Sequence, residues 1–94
     1  MESKRKPSHP GRILKSMYMT PMKLSVTHFA KELHISRKTL SKITNGHGKI
    51  TSDMALRLGK ALGTSFLFWL NLQCRYDLCL AKKNNGWKEV IVLR

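Results

Sequence analysis

The chain has 94 residues, enough for one small domain and too few for two. Its 18 Lys and Arg face only 5 Asp and Glu, a formal net charge of +13, so a polyanionic partner is expected, nucleic acid ahead of an anionic membrane surface. The few scattered acids offer no paired carboxylates, and His9, His28, His34 and His47 form no nucleophile–base–orienter set, so no enzyme is expected. No apolar run approaches the roughly 18 residues of a membrane span, and the cations near the start have no apolar stretch behind them to make a secretory signal. Cys74 and Cys79 are five residues apart, about 140° around a helix, which rules out a bridge between them there. They read as reduced core or interface thiols of a cytoplasmic protein, with no metal site and no cofactor.

In chain order, residues 1–8, MESKRKPS, are polar and basic and are expected to form a flexible arm. HPGRILKSMYM then places Ile13, Leu14, Met17 and Tyr18 at helical spacing, with Pro10 suited to a first turn and Thr20-Pro21 as the stop. Ser25 caps a second helix, in which Val26, Phe29, Ala30 and Leu33 share a face. Ser36 caps a third that ends at Asn45-Gly46, and Thr51 or Ser52 caps a fourth, carrying Ala55, Leu58 and Leu62 to Gly63. Ser65 opens the last helix. Asn84-Asn85-Gly86 breaks the chain, and WKEVIVLR reads as a β-strand with no partner strand elsewhere. The fold class expected is all-α: five helices over residues 9–82 and a short strand or tail over 83–94.

The second and third helices, residues 26–45, are two short helices joined by His34-Ile35-Ser36, the pattern of a DNA-binding helix-turn-helix. Ala30 is small where the helices cross. Phe29, Leu33, Ile35, Leu40 and Ile43 supply the wedge between them. The turn needs one residue at positive φ, and that place falls on His34, among the non-glycine residues that tolerate it best. With Leu40 and Ile43 turned inward, the third helix presents Ser36, Arg37, Lys38, Ser41 and Lys42. Arg37 can grip guanine O6 and N7 bidentately, Lys38 or Lys42 singly, and the serines can bind a phosphate or a base. Thr27 and His28 open the preceding helix, whose free N–H groups favour a phosphate. A solvated face usually mixes both signs, yet residues 36–52 contain no acid at all. The loop NGHGKIT, 45–51, adds Lys49 and backbone N–H groups as a further phosphate contact, with a plain connector as the alternative.

The last helix, SFLFWLNLQCRYDLCLA within residues 65–82, is apolar on too many sides. Phe66, Trp69, Leu70 and Leu78 can complete the core, which leaves Leu67, Leu72, Tyr76, Cys79 and Leu80 in need of cover. A two-fold homodimer through this helix is expected, with Val90, Ile91 and Val92 pairing across the same axis or adding to another protein as a strand.

The segments HPGRIL, LSVTHFAKELHISRKTLSKITNG and ITSDMALRLGKALGTSFLFWLNLQCRYDL together resemble the HigA antitoxins of the Xre/Cro–C1 helix-turn-helix group. The likeness covers roughly residues 8–78, and its specific part is 61–78. It implies a lambda-repressor-like domain that dimerises, represses its own operon and neutralises a HigB-type toxin, an mRNA-cleaving ribonuclease. By the same resemblance, Thr27, Ser36, Arg37, Lys38, Ser41 and Lys42 face operator DNA. The chain departs from the pattern at Arg12, often Glu in such sequences, and at His34, where Gly is usual. The alternatives are a stand-alone Xre-type repressor without a toxin, and a basic RNA-associated protein. The second is opposed by the absence of aromatics interleaved with the cations.

Overall fold

A computed structural model of the chain describes residues 8–93, so the expected basic arm lies outside the described residues apart from the exposed Ser8. Helix α1 (Pro10–Leu14) starts where His9 caps it, Nδ1 accepting the Gly11 N–H at 2.9 Å. Pro10 takes the first helical position, where a missing N–H costs nothing. Past Leu14 the chain widens into a π-helical turn (Lys15–Met19), with the Thr20 N–H bonded to the Lys15 carbonyl. The wider turn advances the apolar phase. Met19 is buried and Met17 is 61% exposed, the reverse of what regular α-helical spacing predicts.

Helices α2 (Val26–Leu33), α3 (Arg37–Thr44), α4 (Ser52–Leu62) and α5 (Phe66–Lys82) follow. Each has a hydroxyl at its N-cap, Ser25, Ser36, Thr51 and Ser65, which accepts a backbone N–H from the first turn. Gly63 closes α4 at φ 69°, a conformation that costs glycine little. Helix α1 packs on α3 and α5, α2 on α3 and α4, and α4 along α5. Leu14, Leu40, Leu58 and Trp69 are completely enclosed, each worth about 1.5–3 kcal/mol of apolar burial. The Trp69 indole N–H donates to Thr64 Oγ1 at 2.8 Å, so its one polar atom is satisfied. Gly11 lies where α1 meets the end of α3, and a Cβ there would run into the Ile43 carbonyl. The close crossing of these two helices therefore requires glycine.

Two sequence expectations are corrected here. The described residues contain no strand: Asn85–Glu89 form a 3-10 turn, and Val90–Leu93 continue as exposed chain without regular structure. β-Branched residues favour an extended backbone, but a strand also needs a neighbour to close its ladder, and none is at hand. In α5 the core is completed by Trp69 and the buried Gln73, whereas Phe66 and Leu78 are exposed. Leu72, expected to seek cover outside, packs partly against its own core, and Tyr76 sets its ring edgewise on His9, centroids 4.9 Å apart. Leu78 lies nine positions, about 180° around the helix, from the buried Trp69, and Phe66 is the first residue of the helix. Gln73 is buried between Trp69 and Leu78 in the chain, where it accepts the Ile50 N–H at 2.8 Å, tying α5 to the loop ahead of α4, and donates to Asp77 at 2.9 Å.

Candidate nucleic-acid interface

His34 adopts φ 60°, ψ 41°, the left-handed conformation expected of it, and directs the chain from α2 into α3. Phe29, Ala30, Leu33, Leu40 and Ile43 are buried behind the turn, and Ile35 is half-buried. With that wedge inward, Arg37, Lys38 and Lys42 stand exposed and Ser41 half-exposed on the outer side of α3. None of the three cations makes an ion pair among the described residues. Ser36 is partly committed: its Oγ accepts the Thr39 N–H at 3.0 Å and lies 2.8 Å from Thr39 Oγ1. Its first task is to cap the helix, which leaves the N–H groups of Arg37 and Lys38 ahead of the first intrahelical bond.

Thr27 and His28 are exposed at the start of α2, but Ser25 already takes the His28 N–H and the His28 ring leans on Glu32 at 4.0 Å. The loop after α3 differs from expectation. The N–H groups of Gly46, His47 and Gly48 all bond back to the carbonyls of Ile43 and Lys42, so this backbone offers no cradle for a phosphate. Short-range closure of the α3 C-terminus uses up the donors. Lys49 remains, its ammonium 3.9 Å from Asp77 in an exposed pair worth under about 1 kcal/mol, which a phosphate can displace.

Two contributions were not legible in the sequence. The Arg57 guanidinium on α4 donates from Nη1 to the carbonyls of Leu33 (2.8 Å) and His34 (3.2 Å), and from Nε to Asp53 at 2.8 Å. It ties the helix-turn-helix turn to α4. The Asp53–Arg57 spacing of four residues signalled only a helical ion pair. His9, for which the sequence suggested no more than the lack of a catalytic set, is 7% exposed and holds the loop after α3 as well as the start of α1. With Nδ1 accepting from Gly11, the neutral ring donates Nε2–H to the Gly48 carbonyl at 2.9 Å.

The sequence matches the helix-turn-helix family over residues 16–69. An uncharacterized HTH-type transcriptional regulator of Escherichia coli, YbaQ, is 40% identical over 88 residues, covering 94% of this chain and 78% of the relative. Antitoxin HigA-1 of Vibrio cholerae is 36% identical over 77 residues, 82% of this chain and 72% of the relative. Among solved structures, the Pseudomonas aeruginosa antitoxin HigA with the higBA promoter superposes with a TM-score of 0.86 at 36% identity, over 94% of this chain and 99% of that one.

Proposed function

Since the chain belongs to the helix-turn-helix family, in its HigA-type antitoxin branch, we propose that it is a sequence-specific operator-binding repressor of its own operon and the antitoxin to a HigB-type ribonuclease. The observation that carries the DNA reading is the outer face of α3, where Arg37, Lys38 and Lys42 project from a rigidly wedged helix with no acid nearby in the chain. On this reading α3 enters the major groove, and its N-terminal residues reach base edges. Arg37 takes a guanine by a bidentate pair, Lys38 and Lys42 take a base or phosphate, and Ser41 lies between them. Thr27 and His28 at the start of α2, Ser36 at the cap and Lys49 beyond the loop face the phosphates on either side.

Two copies would place two recognition helices about 34 Å apart, on successive major grooves of a palindrome. Leu67 and Leu80 on α5, both exposed, together with Cys79 and the exposed Val90, Ile91 and Val92, are the surface available for that pairing. Leu72 and Tyr76 contribute less, because their own chain already covers them in part.

A mobility shift with the duplex upstream of the chain's own gene tests the reading. Arg37→Ala loses about tenfold or more in affinity, because one bidentate Arg–guanine pair is worth about 1–3 kcal/mol. A loss within about twofold at every salt concentration removes Arg37 from the reading set. Copurification with the product of a neighbouring ribonuclease gene separates the antitoxin from a stand-alone repressor.

A further inference from the structure

An open cleft runs between helix α1 and the C-terminal end of α3. It is lined by Arg12, Lys15, Ser16 and Thr20 on one wall and by Thr44 and Asn45 on the other. Arg12 belongs to α1, Lys15 and Ser16 to the π-helical turn that follows it, and Thr20 caps that turn. Arg12 and Lys15 are exposed, and neither makes an ion pair among the described residues. No Asp or Glu lines the cleft; Glu32, Asp53 and Asp77 face His28, Arg57 and Lys49 instead.

Cations beside a helix C-terminus often serve to satisfy its last carbonyls. Here three of those carbonyls are already occupied. Ser41 O accepts from the Asn45 N–H and the Thr44 hydroxyl, Lys42 O from His47 and Gly48, and Ile43 O from Gly46. Neither Arg12 nor Lys15 makes a side-chain hydrogen bond or ion pair among the described residues, to these carbonyls or to that of Thr44. The far wall of the cleft is also joined to the reading face: Asn45 Nδ2 donates to Ser41 Oγ at 3.3 Å, and Ser41 stands one turn from Arg37. An anion in the cleft would sit directly alongside whatever α3 reads.

We propose that this cleft is a phosphodiester clamp, in which Arg12 and Lys15 grip the backbone of the duplex at the edge of the groove that α3 enters. It rests on the operator reading above and adds a second strand of contacts to it. The Arg12 fork suits two non-bridging oxygens, the Lys15 ammonium supplies a mobile point charge, and the Ser16 and Thr20 hydroxyls can donate at shorter range. Contacts of this kind set register and affinity and carry no base preference.

The experiment measures full-chain binding by fluorescence anisotropy across a potassium chloride series, on the operator duplex and on a scrambled duplex of equal length. Wild type is compared with Arg12→Gln/Lys15→Gln, with the charge-keeping Arg12→Lys/Lys15→Arg, and with Arg37→Ala. Each neutralised phosphate contributes about 0.9 to the slope of log affinity against log salt, so the double glutamine variant is expected to be shallower by about 1.8. Its loss falls equally on both duplexes, the charge-keeping variant stays near wild type, and Arg37→Ala loses preference for the operator. Both substituted side chains are exposed, and an unchanged melting curve confirms that the variants fold. A wild-type slope in the double glutamine variant overturns the clamp while leaving the operator reading intact. So does a loss confined to the operator duplex, which would make these residues base readers. Absence of salt-dependent duplex binding by the wild type overturns both.

Discussion

His34 pays a conformational cost in the turn that glycine would avoid. At φ 60° its Cβ crowds the following carbonyl, a penalty of about 1–2 kcal/mol for an L-residue. The surrounding structure holds it there: Ile35 N–H bonds to the Ala30 carbonyl at 3.0 Å, His34 N–H to that of Lys31 at 3.1 Å, and Arg57 grips the His34 carbonyl. His34→Gly is expected to raise stability by about 0.5–1 kcal/mol in denaturant unfolding, since strain is released but the unfolded chain gains freedom. His34→Val at the same position destabilises, because a β-branched side chain resists the left-handed region more strongly. Equal stability of the two variants would show that the turn tolerates any residue. Gly11 illustrates the opposite demand. Its value lies in the absence of a side chain at the Ile43 carbonyl, and a sequence motif cannot reveal which backbone will arrive there.

At the scale of elements, the helices were legible from local rules. The hydroxyl caps Ser25, Ser36 and Ser65 and the choice of Thr51 or Ser52 all correspond to observed starts, because capping involves atoms only two or three residues apart. The errors fall where phase or distant partners decide. The π-helical turn after α1 exchanges Met17 for Met19, and Gln73, bonded to the Ile50 N–H, takes a core place that an apolar residue was expected to fill. The tie between α2 and α4 is another distant effect. Arg57 fills two acceptors at the end of α2 and so helps set the angle at which α3 leaves the turn. Arg57→Ala is expected to lower stability by about 1–3 kcal/mol, because partly buried carbonyls lose charge-assisted bonds. Operator affinity should also fall, measured well below the melting transition where the protein is fully folded. Arg57→Lys restores part of the stability, since an ammonium cannot span Asp53 and both carbonyls with the same fork. Intact operator binding in folded Arg57→Ala would mean that the wedge alone sets the helix angle.

For the whole molecule, the net charge and the distribution of uncovered apolar surface point in one direction. Arg12 and Lys15 stand across the cleft from the C-terminal end of α3, whose outer side carries Arg37, Lys38 and Lys42, and the exposed Leu67, Leu80 and Val90–Leu93 belong to α5 and the tail. A monomer that leaves so many large apolar side chains in water gains by pairing. Leu67→Glu/Leu80→Glu is therefore expected to shift the chain toward a monomer in sedimentation velocity, with an unchanged helical circular dichroism spectrum. Operator affinity should drop by more than tenfold as the second half-site contact is lost. Unchanged sedimentation in this variant would move the pairing surface elsewhere.

What the sequence by itself determined are the features that sum over a few neighbouring residues: the five helices, their caps, the left-handed turn at His34, and an acid-free cationic stretch that must face outward once Leu40 and Ile43 turn in. Only the tertiary structure decided which of those cations are shared, as Lys49 is with Asp77. It also brought Arg12 and Lys15 beside the end of α3, placed Arg57 on the turn, and left the C-terminal tail without a ladder. The physical reason is range. Caps and periodicity act along the chain, whereas hydrogen bonds and charge contacts between residues more than twenty positions apart depend on how the helices are stacked, and no local pattern encodes that.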